Sequence, residues 1–75
     1  MVFELEELWR ANRHIAKAEE AILDQELELG RLRCKGYDTQ LAEQTLKAFQ
    51  SGLQTMLVHR KLILTTIEQV DRGLI

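Results

Sequence analysis

Seventy-five residues with one cysteine, no proline and a formal net charge of −2 make at most one small domain. The charge excludes a general nucleic-acid or anionic-membrane binder, and the lone thiol excludes an internal disulfide or a cysteine-based metal cluster. The richness in Leu, Glu, Gln, Ala, Arg and Ile, with only four glycines, belongs to long helices, so the expected class is all-α.

The first residues, MVFELEELWR, are acidic and hold no apolar run of signal-peptide length. The most apolar segment, 56–64, is broken by His59, Arg60 and Lys61, so no membrane span is expected. With Cys34 alone, a reducing, cytoplasmic location is the expectation.

The first predicted element is a helix from about Val2 to Cys34. Leu8, Ile15, Ile22 and Leu29 recur every seven residues, and Ala11, Ala18, Gln25 and Leu32 follow each by three. Leu5 extends the row upstream. Such a stripe marks an amphipathic helix with coiled-coil-like packing. Glu4, Glu6 and Glu7 fall in its first turns and Arg31, Arg33 and Lys35 at its end, each where the helix dipole favours that sign.

A bend is predicted at about 35–38. Gly36 suits a left-handed helix terminus. Asp38 is placed to cap the next helix, with Thr39 as the competing cap, and Tyr37 precedes the cap where it can staple against Ala42.

The second helix is predicted from about Thr39 to Arg72. Leu46, Leu53, Ile67 and Leu74 form one heptad row, interrupted by Arg60, and Ala42, Phe49, Met56, Ile63 and Val70 form the other. Each helix is about 45–50 Å long at 1.5 Å per residue. Glu6 with Arg10, Glu43 with Lys47 and Glu68 with Arg72 are expected pairs four residues apart. So short a bend forces antiparallel neighbours, and residues 1–75 are expected to make a single helical-hairpin domain.

The stretch GYDT at 36–39, with Phe49, Leu53, HR at 59–60 and IL at 63–64, resembles small uncharacterised alpha-proteobacterial helical-hairpin proteins that carry a G-[HY]-D-T turn. The likeness covers roughly residues 12 to 68. It implies the hairpin fold and a bacterial source, and brings no activity and no catalytic residues.

Folded about Gly36 and Tyr37, the chain sets Ile22 level with Gly52, Ile15 with Val58 and Leu8 with Thr65. Trp9, Leu23 and Leu27 on the first helix, and Leu57, Val58, Leu62 and Leu64 on the second, then fall outside or at the margin of the seam. Exposed clusters of this kind mark a partner surface. A second copy is the simplest partner, giving a homodimeric four-helix bundle with Trp9, Leu23, Leu27, Leu57 and Leu64 at the interface. Arg60 interrupts a core row, with Asn12 and Glu19 near its level, and must be paired or reach water. It is a candidate for fixing register. Gly52 either allows close backbone approach opposite Ile22 or is simple drift at a position with no such role.

Candidate chemistry is thin. His14 and His59 share a height, with Glu19 nearby, but lack a tight ligand motif. Histidine-kinase dimerisation and phosphotransfer domains resemble this architecture, yet the residues after these histidines, Ile15 and Arg60, are not the acidic neighbours expected of a phospho-accepting site. Cys34 sits at a helix C-terminus, where the dipole opposes a thiolate. The expectation is therefore no catalytic residue, no metal, no cofactor and no small-molecule substrate. The function expected is a non-catalytic protein–protein interaction or regulatory module. The alternative is anion or nucleic-acid binding through a basic band of Arg10, Arg13, Lys17, Arg60 and Lys61.

Overall fold

The two sets of heptad rows become two helices laid side by side. The computed structural model describes residues 2–73: α1 spans Val2–Cys34 and α2 spans Gln40–Asp71, with no strand among the described residues. They run antiparallel: Arg33 meets Glu43 and Gln25 meets Ala42 toward the bend, and both links are enclosed by the one between Asn12 and Arg60 far from it. Leu74, which the heptad row would include, lies outside the described residues.

The bend is built as its residues dictate. Gly36 takes φ 72°, a left-handed conformation that strains a residue with a Cβ. The Tyr37 N–H donates to Leu32 O at 3.0 Å and the Gly36 N–H to Arg33 O at 3.1 Å. These two bonds form a Schellman termination, satisfying carbonyls that the end of a helix leaves unpaired. Of the two candidate caps, Asp38 is the one engaged: its Oδ1 accepts the Gln40 N–H at 3.0 Å. The Thr39 side chain makes no cap bond, while its carbonyl accepts the Glu43 N–H at 2.9 Å. Tyr37 is exposed.

Four threonines lie within α2, and each hydroxyl donates to the carbonyl four residues back: Thr45 to Leu41, Thr55 to Ser51, Thr65 to Lys61 and Thr66 to Leu62. This back-bonding keeps the hydroxyls satisfied inside the helix.

The core is a line, because two rods touch only along one seam. Ala11, Ile15 and Leu29 of α1 and Ala42 and Ile63 of α2 are buried, and none is completely enclosed. The hairpin measures 58 × 15 × 12 Å, and its Cα radius of gyration is 17.3 Å, against about 11 Å for a compact chain of this length. Its accessible surface is 5755 Å²; a compact monomer of the same mass exposes about 4,700 Å².

Several local expectations are corrected. Glu68 does pair with Arg72, at 2.6 Å. Arg10 instead reaches Glu7 at 3.6 Å, since three-residue spacing also sets side chains adjacent. Glu43 accepts Arg33 across the bend at 2.9 Å rather than Lys47. Gly52 is not a site of close approach: a Cβ there meets nothing within 4 Å. Ala18 and Ala21 across from it are small, so an open groove runs between the helices at this level.

Candidate functional site

The surface that stands out is built around Arg60. On α2, Leu53, Leu57, Arg60, Leu64 and Ile67 follow one another at alternating spacings of four and three, so they lie along one side of the helix. Leu53 and Ile67 are half-buried toward α1, whereas Leu57 and Leu64 are each 39% exposed. The Arg60 Nε–H crosses to α1 and donates to Asn12 Oδ1 at 2.6 Å. Asn12 in turn has Trp9 and Leu8 one turn before it and Leu5 two turns before. A polar link therefore lies amid leucine, isoleucine and tryptophan on one side of the hairpin.

The charge on this link is not neutralised by any described residue. Arg60 is half-buried and forms no ion pair among the described residues. Glu19, one heptad beyond Asn12 on the same row of α1, is exposed and also forms none.

The remaining interface candidates are exposed too. Trp9 is 60%, Leu23 56% and Leu27 65% accessible. Trp9 and Leu23 occupy one row of α1, two heptads apart. Leu27 lies about 16 Å nearer the bend than Leu57's level, so it is not gathered with Leu57 and Leu64.

The basic residues have separate neighbours. Arg10 is held by Glu7 at 3.6 Å. Arg13 places its guanidinium carbon 4.9 Å from the Trp9 ring centroid, a cation–π contact. This contact was readable from the four-residue spacing of the pair. Arg60 is turned to Asn12, while Lys17 and Lys61 are exposed. Near the bend, the hydrogen bond from Arg31 holds the Glu28 carboxyl below its ordinary range, and Arg31 is raised in turn.

The opposite side of the hairpin is a shallow groove. His14 and His59 do share a height there, lining it with Ala11, Thr55 and Met56. Asn12 and Glu19 do not face it, since Asn12 sits about 200° around α1 from His14. Among the described residues, no group of three or more histidine, cysteine or acidic side chains is placed to hold a metal ion. None of the described helices is long and apolar enough to cross a membrane.

No protein-family model matches the chain, and neither a curated protein nor a solved structure matches it.

Proposed function

We propose that this chain is a non-catalytic association module. Its hairpin pairs with a second copy through the leucine side and so completes a four-helix bundle, whose outer helix faces are left to meet other proteins. The observation that carries this is the exposed row of Leu57 and Leu64 flanking a half-buried Arg60, continuous with Trp9 and Leu5 of α1. The hairpin exposes about 1,000 Å² more than a compact chain of its mass, and a standard protein–protein interface covers about 800 Å² on each partner. A leucine row left in water is unfavourable at about 25 cal/mol per Å², and a two-helix core with five buried side chains among the described residues does little to offset that. We place the protein in the cytoplasm and with the bacterial G-[HY]-D-T hairpins on the lone cysteine and the 36–39 bend.

Anion binding ranks second because Arg10, Arg13 and Arg60 already have Glu7, Trp9 and Asn12 as neighbours. The test is the double variant Leu57→Glu, Leu64→Glu. Its solution mass should fall toward 8.7 kDa at concentrations where helicity by circular dichroism persists. Unchanged mass and melting would remove these residues from any interface. Retention on heparin that vanishes at moderate salt and on changing Arg10, Arg13 and Lys17 to Glu would favour the basic residues instead.

A further inference from the structure

We propose that the two copies meet antiparallel, the bend of one hairpin beside the open end of the other, and that Arg60 of each copy sets this orientation by pairing with the partner's Glu19. The inference rests on the self-association above and adds its geometry.

A second copy laid on the leucine side covers Arg60, and a covered charge without a counter-charge is strongly unfavourable. Among the described residues the chain itself supplies Asn12, a neutral acceptor, and no carboxylate. The missing carboxylate must then come from the copy. Glu19 has the required position: exposed, in no ion pair, and on the same row as Asn12.

A two-fold axis can lie in the interface in two ways. Parallel to the helices, it puts α1 over the partner's α2 at equal height. Arg60 then meets the partner's Arg60 and Asn12, so like charges face each other and no acid is present. Across the helices, it puts α1 over the partner's α1 in the opposite direction. Glu19 lies two turns beyond Asn12 toward the bend, and Leu57 lies one turn from Arg60 the same way. An axis level with Leu57 therefore brings Asn12, and the Arg60 guanidinium that crosses to it, over the partner's Glu19. The same axis brings Trp9 over the partner's Leu23 and Leu57 over the partner's Leu57. One choice of axis matches apolar with apolar and positive with negative, which is how charged positions set orientation in helical bundles.

Two measurements test it on the whole chain. Cys34 is exposed and is the only thiol, so a spin label there reports subunit orientation by pulsed dipolar spectroscopy. The antiparallel pair places the labels about 55 Å apart, at 1.5 Å per residue along the helices; a parallel pair places them side by side, and that result overturns the proposal. Separately, Arg60→Glu and Glu19→Arg should each raise the dissociation constant about tenfold or more. An equal mixture of the two variants restores both ion pairs and should recover association. A mixture that associates no better than its components overturns the ion pair. If the unmodified chain stays monomeric, self-association itself is lost; a dimer with adjacent labels overturns the orientation alone.

Discussion

Arg60 on α2 donates its Nε–H to Oδ1 of Asn12 on α1 at 2.6 Å, joining residues 48 apart in sequence. The bond is side chain to side chain and spans the two helices far from the bend. It therefore reports helix register, because sliding one helix by a turn against the other would separate the pair. A double-mutant cycle on Asn12→Ala and Arg60→Ala, read by urea denaturation, should give a coupling of about 1 kcal/mol. Strict additivity would show that the bond contributes nothing in solution.

The glycines of the bend and of α2 should respond with opposite signs. Gly36 sits at φ 72°, so Gly36→Ala strains the Schellman termination and should destabilise the chain by about 1 kcal/mol. Gly52 is helical, with open space around its missing Cβ. Gly52→Ala should stabilise by about 0.5–1 kcal/mol. Melting temperatures moving the same way for both variants would contradict this.

The seam should be felt at single-residue resolution along α2. Ile63 is buried, and Ile63→Ala should cost about 2–4 kcal/mol. Its neighbour Leu62 is exposed, on the groove side away from Arg60, and Leu62→Ala should stay within about 0.5 kcal/mol. Chemical denaturation of the two variants under identical conditions makes the comparison. Equal losses would mean that α2 is rotated relative to its placement here.

Acidification should silence one ion pair in a predictable direction. The hydrogen bond from Arg31 lowers the folded-state pKa of Glu28. A lowered carboxyl contributes stability that is present above its ordinary pKa and lost as pH falls through the lowered value. Glu28→Gln should thus melt slightly below the unmodified chain at neutral pH and converge with it in acid. A difference that grows as pH falls would contradict the shift.

The two helices were legible in the sequence because seven-residue spacing of Leu8, Ile15, Ile22 and Leu29 is a strong, redundant signal. The bend was legible because Gly36 and Asp38 have few alternative roles at that point. Arg60 was marked as anomalous by interrupting a leucine row, and Asn12 as lying near its level. What the sequence left open was decided by distances across the hairpin. Glu43 has both Lys47 and Arg33 in reach, and only the folded bend favours Arg33 at 2.9 Å. Gly52 looked like a contact because glycine often permits one, but the small side chains opposite leave space instead. The basic residues share a height in the sequence, yet side-chain direction separates Arg60 from the others, and spacing alone does not carry that information.

The most direct test is the mass of the unmodified chain by light scattering across a concentration series. A bundle of two hairpins predicts about twice the 8.7 kDa chain mass at micromolar concentration, falling toward one chain only on dilution. A single 8.7 kDa species, cooperatively folded and unchanged up to high micromolar concentration, would contradict it.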